Sequence, residues 1–116
     1  MLFVCYPKCS TCKKAQAWLD ARGAKYGVRH IVEDNPTADE LRRWQAASGL
    51  PLRRFFNTSG MLYREMALKD KLPTMSEDEM VDLLATNGML VKRPLLVLDD
   101  TVLVGFREKE WQAALE

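Results

Sequence analysis

A strand, a helix and a second strand follow one another at the start of this chain, and this order restricts the fold more than any other feature. Residues 2–6 form a short apolar run that Pro7 ends, and apolar residues then recur at helical spacing from Thr11 to Arg22. Residues 26–32 have the composition of a second strand. A strand–helix–strand unit of this length implies parallel pairing and a right-handed crossover. The chain is therefore predicted to be an α/β protein.

The turn from the first strand into the helix carries the sequence Cys9-Ser10-Thr11-Cys12. The positive end of the helix dipole stabilises an anion, so a thiol placed there ionises below the ~8.5 of a free cysteine. Lys8, Lys13 and Lys14 add positive charge nearby. The thiolate is the nucleophile of disulfide exchange. We therefore expect Cys9, at the exposed edge of the turn, to attack a substrate, and Cys12, inside the first helical turn, to resolve the mixed disulfide.

Three other uses of these cysteines fit the sequence less well. A structural zinc ion needs four ligands, usually two spaced pairs, and only Cys5 and His30 remain to complete a set. The spacing of Cys5, Cys9 and Cys12 also matches that of radical enzymes with an iron–sulfur cluster, but those need a much larger barrel. A purely structural disulfide across so short a loop would remove little chain entropy. No metal and no cofactor are therefore expected.

Length and charge set the limits on function. A chain of 116 residues can build one hydrophobic core and one domain. Its 17 basic and 16 acidic residues give no basic excess, so no direct nucleic-acid binding is expected. No apolar run approaches the ~20 residues that span a bilayer, so no membrane association is expected. The first residues show no signal-peptide pattern, and the three cysteines suit a reducing compartment, so we expect a cytoplasmic protein.

Helix signals dominate the middle of the chain. Thr37 with Glu40, and Ser76 with Glu79, have the spacing of capping boxes and predict two helix starts. Residues 50–70 are harder to read, with one or two short helical turns expected near residues 63–68. The faces predicted to turn inward carry Ala15, Trp18, Leu19 and Arg22 in the first helix, Leu41 and Trp44 in the second, and Met80, Leu83 and Leu84 in the third.

The C-terminal part predicts a hairpin and a final helix. Residues 95–98 and 102–104 are short apolar runs around Asp99-Asp100-Thr101, a connection short enough for antiparallel strands. Residues 106–115 follow as a helix with Trp111 and Leu115 on its inner side. The predicted order is βαβ, a helical insertion, and ββα, with a mixed four-stranded sheet.

Two arginines stand where they could complement a thiolate. Arg93 precedes Pro94 at the start of the third strand, and Arg107 follows the fourth. If these strand ends lie beside the Cys9 turn, Arg93 could bind an anionic group through its planar guanidinium. The alternative is a solvated surface arginine, which is the commoner situation. His30 is expected to serve packing, and Cys5 to be an inert buried thiol.

Four segments in the right order and spacing resemble the arsenate reductase (ArsC)/Spx/MgsR family. They are Cys-Tyr-Pro-Lys-Cys-Ser-Thr-Cys-Lys-Lys-Ala at residues 5–15, Phe-Asn-Thr-Ser-Gly at 56–60 with Tyr63-Arg64, Lys-Arg-Pro-Leu at 92–95, and Val-Gly-Phe-Arg at 104–107 with Trp111. The resemblance implies a single domain over residues 1–116. Its thioredoxin-like core would comprise residues 1–36 and 89–116, with a helical insertion at about 37–88. It also implies a cis peptide bond before Pro94, although only about 5–6% of X-Pro bonds are cis.

The resemblance also assigns roles to individual residues. The nucleophile of the glutaredoxin-coupled arsenate reductases falls on Cys9, and two of their three oxyanion-binding arginines fall on Arg93 and Arg107. The third falls near Asn57, which cannot supply a charge. Substrate or anion binding is thus implied for Arg93, Arg107, Ser10, Thr11 and Asn57.

Two positions depart from the pattern of those reductases. A histidine stands four residues before their nucleophile and a serine three residues after it, where this chain has Cys5 and Cys12. These departures weaken arsenate reduction specifically. Cys12 makes an internal disulfide possible, which resembles the CxxC-containing, Spx/MgsR-like branch.

Two functions follow from the resemblance. The first is a thiol-based oxidoreductase acting in disulfide exchange or on an oxyanion such as arsenate, with glutathione and glutaredoxin, or thioredoxin, as electron donor. The alternative is a redox-sensing transcriptional regulator of the Spx/MgsR type that binds the α subunit of RNA polymerase.

Overall fold

A mixed four-stranded sheet is the centre of the computed structural model, which describes residues 1–116. The strands lie in the order β2-β1-β3-β4. Their bounds are β1 Leu2–Cys5, β2 Gly27–His30, β3 Leu95–Val97 and β4 Val102–Val104. β1 pairs parallel with β2, whereas β3 pairs antiparallel with both β1 and β4. The predicted fold class is confirmed: an α/β protein with a thioredoxin-like fold, a mixed four-stranded sheet and helices between β2 and β3.

Six α-helices surround the sheet. Their bounds are α1 Ser10–Ala21, α2 Ala38–Ser48, α3 Met61–Glu65, α4 Leu68–Lys71, α5 Glu77–Thr86 and α6 Glu108–Leu115. Short 3₁₀ turns occupy Leu52–Phe55, Leu72–Thr74 and Gly88–Leu90. The weakly predicted stretch is divided at Ala67, whose φ of 52° interrupts the helix between α3 and α4. No helix is both long and apolar enough to cross a membrane.

The sheet separates two layers of packing. Successive side chains of a strand point to opposite faces, so Phe3 and Cys5 face one side of β1 and Val4 faces the other. Phe3 and Cys5 pack with residues of α1 and with Trp111 of α6. Val4 belongs to a larger cluster that joins the sheet to α2, α4 and α5. The inserted helices thus share one continuous core with the strands.

The helix faces differ from prediction at several residues. In α1 the buried residues are Cys12, Ala15 and Leu19. Arg22 does not face the core: it is exposed, and its guanidinium carbon lies 4.4 Å from the Trp18 ring centroid. An arginine can cover an aromatic face while its charge stays in water, which explains its helical spacing with the apolar residues.

In α5 the prediction named Met80, Leu83 and Leu84 as inward-facing and did not include Val81. Val81 and Leu84 are buried, whereas Met80 and Leu83 are only partly buried. In α6, Trp111 is fully buried and Leu115 is partly buried.

Both predicted capping boxes are present, and one is tied to the sheet. The Thr37 side chain accepts a hydrogen bond from the Glu40 N–H, and Ser76 does the same for Glu79. The Glu40 carboxylate also accepts two hydrogen bonds from the Arg29 guanidinium. Nη1 donates to Oε2, and Nη2 donates to Oε1 at 2.8 Å. Arg29 also donates to the carbonyls of Asp34 and Asn35, so it fixes the connection from β2 to α2. The Arg29 hydrogen bonds lower the pKa of Glu40 to about 2, although its partial burial acts in the opposite direction.

This ion pair predicts a pH-dependent stability. The pKa of Glu40 is lowered to about 2 in the folded state, against about 4.3 in an unfolded chain. Its stabilising contribution is therefore complete above about pH 5 and is lost as the pH falls toward about 2. Glu40→Gln keeps the capping box but removes the charge facing Arg29. We expect a loss of about 1–2 kcal/mol in the free energy of unfolding near neutral pH, and little loss at about pH 2.

Glu79→Gln is the matched control, because Glu79 occupies the same position of the other capping box but forms no ion pair. Its expected effect lies within about 0.5 kcal/mol. Chemical denaturation at several pH values measures both variants. Equal losses in the two, or an E40Q loss that does not change with pH, would contradict the assignment.

Candidate active site

The turn between β1 and α1 sets the position of both cysteines. Cys9 is the N-cap residue of α1, with extended backbone angles and no side-chain cap of its own. Its N–H donates to the Tyr6 carbonyl at 2.9 Å, and its carbonyl accepts from the Lys13 N–H at 3.1 Å. Cys9 is partly exposed, whereas Cys12 lies in the first helical turn and is 2% exposed. The two thiols therefore differ in accessibility.

Hydrogen-bond donors stabilise the Cys9 thiolate. Partial burial raises the pKa of Cys9, but the backbone N–H and thiol of Cys12, the Arg93 guanidinium and the Thr11 N–H together outweigh it and lower the pKa. The hydrogen bonds that lower this pKa come from Cys12, Arg93 and Thr11 and not from the neighbouring lysines. Lys8 does line the surrounding cleft, whereas Lys13 and Lys14 do not.

Cys12 has the opposite properties. Burial raises its pKa to about 12, and the hydrogen bond to Cys9 and the negative charge of Cys9 act in the same direction. Its sulfur accepts a hydrogen bond from the Tyr6 N–H at 3.5 Å. Cys5 is also buried, at 5% exposure, and burial raises its pKa. One thiol that ionises more readily than usual and two that ionise less readily thus occupy this end of the sheet.

Arg93 reaches Cys9 from the neighbouring strand. Its guanidinium carbon lies 5.1 Å from the Tyr6 ring centroid, and Nη1 donates to the Met89 carbonyl at 3.2 Å. The peptide bond between Arg93 and Pro94 is cis, the conformation that the resemblance implies. Arg93 is partly buried and is not a solvated surface side chain. Its guanidinium is instead held between the Tyr6 ring and the Met89 carbonyl at the wall of the Cys9 cleft.

The turn after β4 brings Arg107 to the same end. Gly105 has φ 74°, a left-handed conformation that favours glycine, and its N–H donates to the Pro94 carbonyl at 2.8 Å. Its carbonyl accepts a hydrogen bond from the Trp111 indole at 3.0 Å. Arg107 follows as the N-cap residue of α6, and its side chain is 65% exposed. Its guanidinium lies 3.9 Å from the Glu110 carboxylate, in an exposed ion pair at the rim of the site.

The helical insertion supplies the opposite wall. Phe56 and Val91 form an isolated antiparallel bridge. On either side of it the Asn57 N–H donates to the Leu90 carbonyl at 2.8 Å and the Lys92 N–H to the Phe55 carbonyl at 2.7 Å. These bonds hold Asn57 against the segment that leads into Arg93. Asn57 is buried, and its Oδ1 accepts from the Ser59 hydroxyl at 3.3 Å.

A cleft of about 760 Å³ lies between these walls. It is lined by the sequence-predicted residues Cys9, Ser10, Thr11, Asn57, Arg93 and Arg107. Its basic lining residues are Lys8, Arg53, Arg54, Lys92, Arg93 and Arg107, and no carboxylate faces it. The cleft therefore suits an anion bound next to a thiolate.

Sequence reasoning missed Arg53, Arg54 and Lys92, and also Tyr6. One local signal pointed to the arginine pair: it immediately precedes the apolar anchor Phe55-Phe56, which is fully buried. Tyr6 carries no such signal, because its role depends on Arg93 packing across its ring.

The remaining candidate residues have structural roles. His30 ends β2, and its Nδ1 accepts hydrogen bonds from the N–H groups of Val32 and Glu33, both at 3.1 Å. The Tyr6 ring packs edge-on against it. No cluster of histidine, cysteine and carboxylate side chains has the geometry to hold a metal ion.

The fold and the site define a thioredoxin-like protein with a CxxC pair at the start of its first helix. The chain belongs to the ArsC family, whose family model matches residues 5–114. It is 50% identical to the uncharacterized protein YusI of Bacillus subtilis, over 97% of this chain and 95% of that protein. It is 26% identical to the regulatory protein MgsR of the same organism, over 95% of this chain and 86% of MgsR.

Two solved structures extend the comparison. The crystal structure of an ArsC family related protein from Bacteroides fragilis superposes with a TM-score of 0.95 at 56% identity, covering 97% of this chain and 94% of that chain. An arsenate reductase from Vibrio cholerae superposes with a TM-score of 0.82 at 28% identity, covering 100% of this chain and 98% of that chain. The chain is therefore similar over most of its length both to a protein named as a reductase and to one named as a regulator.

The three thiols should differ sharply in reactivity. Because hydrogen bonds lower the pKa of Cys9 while burial raises the pKa of Cys5 and Cys12, alkylation with iodoacetamide in the folded protein should occur at Cys9 alone. The midpoint of its rate against pH should lie below the ~8.5 of a free thiol. Mass spectrometry of peptides locates the label. Cys9→Ser is the control and should abolish the fast phase; faster labelling of Cys5 would show the assignment to be wrong.

Proposed function

We propose that this protein is a two-cysteine thiol reductase, in which Cys9 attacks an oxidised substrate and Cys12 releases the product. One observation carries the proposal: the partly exposed Cys9 is the N-cap of α1, the buried Cys12 lies in the first turn of the same helix, and Arg93 lines the cleft at Cys9. The proposed nucleophile, resolving thiol and anion-binding cation thus lie at one end of the sheet, and Cys12 and Arg93 both lower the pKa of Cys9.

The first step is attack by the Cys9 thiolate. On a disulfide, the Cys9 sulfur forms a bond to one substrate sulfur, and the other leaves as a thiolate. On arsenate, the Cys9 sulfur bonds to arsenic, and an oxygen with its protons leaves as water. The basic cleft lowers the energy of both reactions, because the leaving thiolate and the oxyanion are negatively charged.

The second step requires Cys12 to lose its proton. Burial keeps the pKa of Cys12 at about 12, but the hydrogen bond and the negative charge of Cys9 contribute to that value. Both contributions disappear once the Cys9 sulfur is bound to substrate, so Cys12 ionises more readily at the moment when it is needed. Its thiolate then attacks the Cys9 sulfur. The product leaves as a thiolate or as arsenite, and two electrons have passed from the cysteines to the substrate.

An external thiol must then reduce the Cys9–Cys12 disulfide. A dithiol protein such as thioredoxin, or glutathione with glutaredoxin, can supply the two electrons by exchange. Donors of this kind are maintained in the cytoplasm, where we place the protein.

A second candidate is a redox-switched regulator that binds the α subunit of RNA polymerase. The similarity to the regulatory protein MgsR over most of both chains favours it. In such a protein the same cysteine pair would be a switch, without turnover. Turnover with thioredoxin by the purified protein supports the reductase. Retention of the α subunit by only one redox state of the protein supports the regulator.

Anions should protect Cys9 from alkylation. Sulfate or arsenate bound beside Arg93 and Arg107 would block access, so the alkylation rate should fall with increasing anion concentration. In Arg93→Lys the charge remains but the planar fork is lost. We expect an apparent sulfate affinity about tenfold weaker, corresponding to one charged hydrogen bond of about 1.5 kcal/mol.

Protection is expressed as the ratio of rates with and without anion at one pH, because Arg93 also affects the pKa of Cys9. Arg43→Lys is the control, since Arg43 is exposed on α2 and outside the cleft. Unchanged protection in Arg93→Lys would exclude Arg93 from anion binding.

Cys12 should determine the fate of the mixed disulfide. In the wild type, mild oxidation with glutathione disulfide should yield a Cys9–Cys12 bond and little glutathione adduct by mass spectrometry. In Cys12→Ser the adduct on Cys9 should accumulate and thioredoxin-coupled turnover should be lost, because the remaining thiol, Cys5, is buried and burial raises its pKa. Cys5→Ser serves as the control and should behave as the wild type. Cys12→Ser turnover at the wild-type rate with glutathione and glutaredoxin would indicate a single-cysteine mechanism instead.

A further inference from the structure

A second cavity adjoins the Cys9 cleft. It has a volume of about 530 Å³, and it shares Arg53, Arg54 and Thr58 with the cleft. Its other lining residues are Tyr63, Lys69, Leu72, Pro73, Met75 and Met80. Three cations and no carboxylate therefore line it, as in the cleft itself. We call this cavity the Arg53–Arg54 groove.

The cations of this groove are available to a ligand. Arg53 and Arg54 are exposed, and neither they nor Lys69 forms an ion pair within the protein. Their backbone is nevertheless fixed, because Leu52 and Phe55 of the same 3₁₀ turn are buried at 4% and 0% exposure. Two adjacent guanidinium groups without a carboxylate partner, held on a rigid turn, form a surface suited to anion recognition.

The floor of the groove is apolar. Leu72 is buried, and Met75 and Met80 are partly buried and pack on the main core cluster. Methionine side chains adapt readily to the shape of a ligand. A cationic rim above an apolar floor fits an organic group with a carboxylate at its end better than it fits a bare inorganic ion.

Size supports the same conclusion. Pockets of about 300–1,000 Å³ typically enclose ligands of drug-like size. The Cys9 cleft of about 760 Å³ already lies in that range, and the groove adds to it. A tetrahedral oxyanion beside Arg93 would leave most of this volume to water. The two cavities are neighbours, because Arg53, Arg54 and Thr58 line both.

We propose that the Arg53–Arg54 groove binds the carboxylate-bearing arm of a low-molecular-weight disulfide whose sulfur lies at Cys9. This deepens the proposed function and rests on it. The Cys9 thiolate forms a bond to the near sulfur of the disulfide and the S–S bond breaks. The far half leaves as a thiolate, and the near half stays bound through its carboxylate. Cys12 then attacks the Cys9 sulfur and releases the near half as a second thiolate. The substrate gains two electrons, and the two cysteines end as a disulfide.

Three disulfides of similar length that differ in the charge of their end groups test whether the groove binds a carboxylate. The compounds are 3,3′-dithiodipropionate with two carboxylates, 2-hydroxyethyl disulfide with none, and cystamine with two ammonium groups. Pre-reduced protein is mixed with each in excess, without added reductant, and the rate constant for loss of the Cys9 thiol is measured. Wild-type protein should react with dithiodipropionate at least tenfold faster than with the hydroxyethyl compound, and slowest with cystamine.

The double variant R53Q/R54Q separates the groove from general electrostatics. Any loss of rate with the neutral hydroxyethyl disulfide measures the general effect of removing two cations from the cleft. The loss with dithiodipropionate should be about tenfold larger than that, corresponding to about 1.4 kcal/mol of carboxylate binding. R43Q/R64Q is the matched control: it removes two exposed, unpaired arginines outside both cavities and should keep the wild-type preference. The neutral disulfide also verifies that each variant is folded and active.

The results separate failure of carboxylate binding in the groove from failure of the reductase function. Equal rates with all three disulfides, or the same loss in R43Q/R64Q as in R53Q/R54Q, would overturn the groove and leave the reductase function intact. Failure of wild-type Cys9 to react even with the neutral disulfide would overturn the proposed function, and the groove with it.

Discussion

The chemistry of this protein depends on a competition at one sulfur atom. Partial burial disfavours the Cys9 thiolate, and donors from Cys12, Arg93 and Thr11 favour it more strongly. These donors have two structural causes. Thr11 and Cys12 offer N–H groups because α1 begins there, and such groups have no partner within a helix. Arg93 contributes because its strand starts beside the same turn. The thiolate is therefore stabilised by the fold as a whole, and loss of either the helix start or the strand start would change its pKa.

Sheet topology explains why these parts meet. β1 is a central strand and runs toward Cys9, while β3 pairs with it antiparallel, with Val4 opposite Leu95. The end of β1 therefore lies beside the beginning of β3, which places Arg93 next to the Cys9 turn. β4 is antiparallel to β3, with Leu95 opposite Val104, so its end returns to the same edge and delivers Arg107. An antiparallel edge on a βαβ unit thus brings residues from three strand ends to one site.

The sequence predicted those elements that are determined by residues close to one another in the chain. The CxxC turn, the capping boxes at Thr37 and Ser76 and the hairpin each depend on residues a few positions apart, and the structure has all three elements. The position of the insertion could not be predicted in the same way. It depends on the Phe56–Val91 bridge, which joins residues far apart in the chain and has no local signature. The buried Phe55-Phe56 pair marks Arg53 and Arg54 as lying at the edge of the core, but that this edge faces the Cys9 cleft depends on a pairing between residues far apart in the chain.

The departures from the arsenate reductase pattern are physically consistent with one another. A histidine before the nucleophile would assist its ionisation, and this chain has the buried, protonated Cys5 there. Cys12 can supply that assistance, because its thiol donates to Cys9 in the reduced state and can then attack the same sulfur after substrate has bound. A charge missing at Asn57 is likewise offset in the cleft by Arg53 and Arg54, four and three residues earlier in the chain. With Arg53 and Arg54 in place of a charge at position 57, the cleft remains positive, and its positive lining extends to the second cavity. Under the proposed function, a cationic cleft beside the Cys9–Cys12 pair is suited to an organic disulfide, whose charge lies several bonds from the sulfur that reacts.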